Sequence, residues 1–129
     1  GLRINFSGWG EGPAGFVMQA GNMRAKQACA AIDTGLYISN VWYLNYSDRH
    51  RAGVTGMTRF ASMWVENGQM VGPIEPLRFN DSLLELFGPK LVALGDTQEL
   101  FESTSTYGPR ARGGVACPSA LVRDLEIVL

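Results

Sequence analysis

The chain has 129 residues, a net charge of −1, a hydrophobic fraction of 46% and 18% charged residues. This is the composition of an ordinary globular domain, long enough to bury about two thirds of the surface its unfolded form exposes. No apolar run approaches the roughly 20 residues of a membrane-spanning helix, and the near-neutral balance gives no electrostatic reason for nucleic-acid binding, which places several Lys or Arg on phosphates at once.

Arg3-Ile4-Asn5-Phe6 alternates polar and apolar residues as a strand does, and runs into Gly8-Trp9-Gly10-Glu11-Gly12-Pro13. A pattern already under way at the first residues predicts a C-terminal piece of a longer protein. The glycine run lacks the Lys-Ser/Thr of a phosphate loop and reads as a surface loop. A strand near Phe16 to Gln19 follows. Asn22 to Thr34 is expected to be a helix, capped by Asn22 and stopped by Gly35 in the left-handed conformation. Leu36 to Leu44 reads as one strand, with alternation imperfect enough to predict cover on both faces.

The loop Asn45 to Gly53 carries the one basic cluster, Arg49-His50-Arg51, which a solvated turn beside Asp48 explains better than a phosphate site. Arg110 and Arg112 lie elsewhere. Phe60 to Glu66, Asn67-Gly68 and Gln69 to Val71 form a hairpin with a type I′ turn. Ile74 to Phe79 is a strand, broken or at a sheet edge because Pro73 and Pro76 cannot donate to a ladder. Asn80 caps a helix through Phe87, ended by Gly88-Pro89, and Lys90 to Asp96 and Ser119 to Leu129 are strands. Between them, Thr97 to Gly114 is the longest unpatterned stretch. The sum is a single α+β domain, residues 1–129, mainly antiparallel, with a twisted and barrel-like sheet and one or two packed helices.

The order of Gly35-Leu36-Tyr37-Ile38, Trp42-Tyr43, Thr55-Gly56-Met57-Thr58-Arg59, Glu66-Asn67-Gly68, the Leu91 to Asp96 strand and the closing Pro118 to Leu129 strand resembles the C-terminal part of the TldD/PmbA family. This is a family of candidate metal-dependent peptidases first described as modulators of DNA gyrase. The likeness covers the last three quarters of the chain, and the first quarter more loosely through Ala20-Gly21. It implies proteolysis in the parent protein, an upstream N-terminal domain of the same protein as partner, a homo- or heterodimer with a related subunit, and a peptide substrate. A metal-free paralogue that partners a catalytic subunit is the alternative. Trp42, Tyr43 and Trp64 supply large apolar groups for an interface, with core packing the competing role.

Zinc in the parent would be held by a His-Glu-x-x-x-His helix, which this chain lacks. The family's further cysteine ligand falls near Thr106 to Gly108, where the chain reads Thr106-Tyr107-Gly108-Pro109. Cys117 sits about ten residues later, at the expected mouth of the last strand, and is a weak substitute; His50, a lone imidazole on a polar turn, is another. Neither Cys29 nor Cys117 has a CxxC partner. Asp124 and Glu126, two apart on a strand, read as a solvated face. No catalytic or cofactor-binding residue is assigned to this chain. Two unpaired cysteines and the absence of a secretion leader make the cytoplasm the expected compartment. Peptide contact by strand addition is expected near Thr97 to Gly114.

Overall fold

The computed structural model describes residues 2–6, 13–102 and 113–128. In chain order the elements are β1 (Leu2–Phe6), β2 (Pro13–Met18), a 3-10 turn (Ala25–Gln27), α1 (Ala28–Ile32), β3 (Gly35–Tyr37), β4 (Asn40–Asp48), β5 (Gly53–Arg59), β6 (Met63–Glu66), β7 (Gln69–Pro73), β8 (Arg78–Ser82), α2 (Leu83–Leu86), β9 (Leu91–Glu102), β10 (Gly114–Val122) and β11 (Ile127–Val128). They form three open sheets, ordered β1-β2-β10-β9, β11-β8-β5-β4 and β3-β6-β7. Nearly all pairings are antiparallel; β10 runs parallel to β2. The α+β, mainly antiparallel class holds, and no sheet closes into a barrel among the described residues.

Two compact units emerge: Gly1–Ala25 with Leu94–Ala120, and Lys26–Ala93 with Leu121–Leu129. In the first, the residues expected to open a helix instead form a parallel bridge, Met23 to Gly95. The Gly21 amide donates to the Gly95 carbonyl, the Met23 amide to Leu94 O, and the Asp96 amide to Met23 O. Backbone groups committed to a strand cannot also serve a helix, so α1 is delayed to Ala28 and Asn22 caps nothing.

In the second unit, α1 ends at Asp33, which takes the positive φ of 56° that the sequence assigned to Gly35. Gly35 opens β3. The hairpin of β6 and β7 turns at Asn67 and Gly68, with φ of 51° and 72°, as the turn chemistry requires. Gly68 also donates its amide to the Asp33 carbonyl, and a Cβ there would sit 3.3 Å from Ala30 Cα, so the turn lies close against α1.

The segment read as one strand from Leu36 to Leu44 is two. β3 pairs with β6 and β4 with β5, so the strands on either side of Ile38-Ser39 belong to different sheets. β4 continues to Asp48, into the expected loop. Its uneven alternation arises from register shifts between Trp42 and Asn45 and between Tyr46 and Asp48, with Tyr43 at φ 50°. Bulges of this kind twist an edge. The expected cover on both faces is not supplied by the described residues of this chain, in which every residue of β4 is exposed.

β5 is the buried centre of the unit. Val54 lies in the core with Val65 and Phe79, and Thr58 and Ser62 are buried beside them. Thr58 donates its amide to Leu77 O and accepts the Leu77 amide on Oγ1, which pins the proline-flanked segment that is not a strand. Phe60, expected to start the next strand, leaves β5 with φ 54°. β8 begins only at Arg78 and includes Asn80, so the cap of α2 is Ser82, whose Oγ accepts the Leu84 amide. The expected loop from Thr97 is strand to Glu102. The last strand is interrupted after Val122, with Asp124 at φ 53°.

Candidate interaction edge and polar cleft

β4 lies at the end of its sheet, hydrogen-bonded to β5 on one side and to no strand on the other among the described residues. Val41 and Tyr46 stand opposite the buried Thr58 and Val54. Val41 and Tyr46 therefore lie on the face of β4 that continues the core face of β5, whereas Trp42, opposite Met57, lies on the other face, and both faces are uncovered. Trp42 is 47% exposed, Tyr43 70% and Tyr46 63%; Trp64, on β6, is 38% exposed. Trp42 and Tyr43 meet edge to face, with centroids 5.7 Å apart. An unpaired sheet edge that carries exposed aromatic residues on both faces marks an interaction surface more often than scattered exposed residues do.

At the start of β4, on the Trp42 face, Arg59 pairs with Asn40 across the sheet, which makes Trp42 its diagonal neighbour. Its guanidinium carbon lies 4.6 Å from the Trp42 ring centroid and 5.1 Å from that of Phe60. Ser62 fixes the turn that carries Phe60: its hydroxyl donates to Arg59 O at 3.2 Å and its amide to Phe60 O at 2.5 Å.

The second feature is a polar cleft of 490 Å³ whose lining includes Asp48, Asp81, Glu85, Lys90 and Glu126. Lys90 Nζ donates to Asp81 Oδ2 at 2.8 Å and Oδ1 at 3.0 Å, and to the Asp124 carbonyl at 2.9 Å. Asp81 also accepts the amides of Ser82 and Glu126. Burial would raise the Asp81 carboxyl, but the Lys90 ammonium and the two amides outweigh it and hold the group below the usual range; the same carboxylate raises Lys90. With three donors making four hydrogen bonds to one carboxylate, its accepting capacity is filled. The pair braces β8 to the chain around Asp124 and leaves no free base.

His50 lies in the turn after β4, where its amide and that of Arg51 donate to Asp48 Oδ1; this accounts for the basic cluster as a capped turn. Cys117 is placed within β10, not at the mouth of a strand, because β10 begins at Gly114. Asp124 and Glu126 lie between β10 and β11 and do not share a strand face. The glycine run at residues 8–12, Thr106 to Gly108, Arg110 and Arg112 lie outside the described residues. Among the described residues, no group of three or more His, Cys, Asp or Glu could hold a metal, so they do not fit a zinc centre of their own. No helix among them is long and apolar enough to cross a membrane.

The Asp81–Lys90 pair escaped the sequence because the two lie nine residues apart and meet only after α2 reverses the chain. The model of the PmbA/TldA metallopeptidase C-terminal domain matches residues 5–129. No curated protein matches the chain. Among solved structures it is similar to a candidate modulator of a DNA gyrase (TM0727) from Thermotoga maritima MSB8, at 19% identity and a TM-score of 0.67, over 94% of this chain and 25% of that one. It is also similar to TldE from Thermococcus kodakarensis, at 12% identity and a TM-score of 0.69, over 98% of this chain and 27% of that one. At these identities the likeness establishes the fold. The chain spans about a quarter of the length of both.

Proposed function

The chain belongs to the PmbA/TldA metallopeptidase C-terminal domain family, and from that premise we propose that it is the non-catalytic C-terminal domain of a cytoplasmic, zinc-dependent peptidase acting on peptides or unfolded proteins. In this reading the upstream domain brings the metal and the water it activates. This domain contributes to the substrate cleft and to the interface with a related subunit. The observation that carries the reading is the exposed apolar edge of β4, a surface that a domain working alone would not gain from presenting to water.

The chain alone is expected to retain zinc at far below one ion per molecule after dialysis and to leave casein uncut. The full-length parent should hold zinc and cleave. Elemental analysis with a casein assay on both proteins checks this, and stoichiometric zinc with hydrolysis by the chain alone would sink it. A second reading, a metal-free subunit that partners a catalytic one, is favoured by Thr106-Tyr107-Gly108 standing where the resemblance places a cysteine. The parent's upstream sequence separates the two: a His-Glu-x-x-x-His helix supports the first.

A further inference from the structure

We propose that Arg59, held between Trp42 and Phe60, is a recognition site for a carboxylate on a peptide lying along β4. This deepens, and rests on, the reading of the domain as a peptide-handling part. The guanidinium is exposed and has no carboxylate partner among the described residues. Its position is nonetheless fixed, by two ring faces and by backbone anchored on either side through the buried Thr58 and Ser62. Both ring contacts are measured at the guanidinium carbon, and the N–H donors around it are the groups that receive a carboxylate through two parallel hydrogen bonds.

The turn supplies an independent sign. Phe60 is a bulky, 70% exposed residue at φ 54°. Backbone in that region is uncommon for such a side chain and collects at ligand-binding positions. The conformation places the ring on Arg59 and keeps it out of the core. A peptide on this shelf gains apolar contact from Trp42 and Tyr43 along β4 and an ionic anchor at the Arg59 end. Acidic side chains and a free C-terminus present the same group.

The test is binding of short labelled peptides of one Ala/Val/Ser sequence to the full chain, followed by fluorescence anisotropy. One carries a central Glu and an amidated C-terminus, one carries Gln there with a free C-terminus, and one carries Gln with an amidated C-terminus. At least one carboxylate peptide is expected to bind about tenfold or more tightly than the neutral one, and the tighter of the two names the source. Arg59→Gln should abolish the difference. Arg59→Lys, which keeps the charge without the fork, should lose most of it. Because Arg59 is exposed, an unchanged thermal midpoint serves as the folding control. Equal binding of all three peptides, no binding at millimolar concentration, or selectivity that survives Arg59→Gln each overturns the proposal. Turnover of a neutral peptide by the full-length protein, measured in parallel, reports on the peptidase reading alone.

Discussion

Asp81→Ala is expected to lower the stability of the chain by about 3 kcal/mol, read from urea unfolding. The carboxylate is 3% exposed and Lys90 22%, so solvent screens the pair weakly. The substitution removes every bond the carboxylate accepts and leaves a partly buried ammonium with only the Asp124 carbonyl. Lys90→Met separates the charge from the bonds. It keeps the two amides on Asp81 but removes the counter-charge that offsets burial, so the carboxyl value rises.

The pH dependence has a defined sign. Asp81 is lowered in the folded chain, so its contribution is present above the ordinary aspartate value of 3.8 and is lost as pH falls below it toward the lowered one. Lys90 is raised, so its contribution is present below the ordinary value of 10.5 and is lost as pH rises through the folded one. Lys90→Met should therefore shrink the Asp81 share of the acid limb, because less stabilisation remains to be lost as pH falls below 3.8, and remove the Lys90 share of the alkaline limb. An unchanged acid limb would mean that the pair does not stabilise the fold.

Gly56→Val is expected to cost more than about 3 kcal/mol, with Gly56→Ala costing about 1–3 kcal/mol. Gly56 stands opposite Phe79 across β5 and β8, and the ring lies over it. An added Cβ would come within 2.8 Å of Phe79 Cζ, 3.0 Å of Cε1 and 3.3 Å of Leu44 Cδ1. The ring is in the core and has little room to swing aside. Strand propensity alone argues the other way, since glycine inside a strand is destabilising by roughly 0.5–1 kcal/mol relative to alanine. The sign of the change thus decides between the two effects. Phe79→Leu combined with Gly56→Ala should recover part of the loss, and a stabilised Gly56→Ala variant would show that the ring moves freely.

Local chemistry was the part of the fold legible in the sequence. Asn67-Gly68 dictates its turn through positive φ at both residues, and the prolines at 73 and 76 break a strand by lacking donors. Trp42 and Tyr43 were legible as large aromatics in a strand that must be either covered or offered, and in this chain both are exposed. Tertiary competition was not legible. Asn22 could open a helix by pattern, but the amides of its neighbours Gly21 and Met23 and the Met23 carbonyl are taken by Leu94 to Asp96. β5 was hidden because its buried row, Val54, Gly56 and Thr58, contains one apolar side chain. That row reads as core only once Phe79 is seen filling the space over the glycine. Arg59 was visible as part of a motif, yet its role depends on the backbone turn at Phe60, which no spacing announces.

The central claim is that the apolar edge of β4 is covered in the working protein. Hydroxyl-radical footprinting compares the labelling of Trp42, Tyr43 and Tyr46 in the full-length protein saturated with peptide with that in this chain alone. The account predicts labelling slower by about fivefold or more in the full-length protein, as for aromatic residues drawn into an interface; equal rates at all three residues would contradict it.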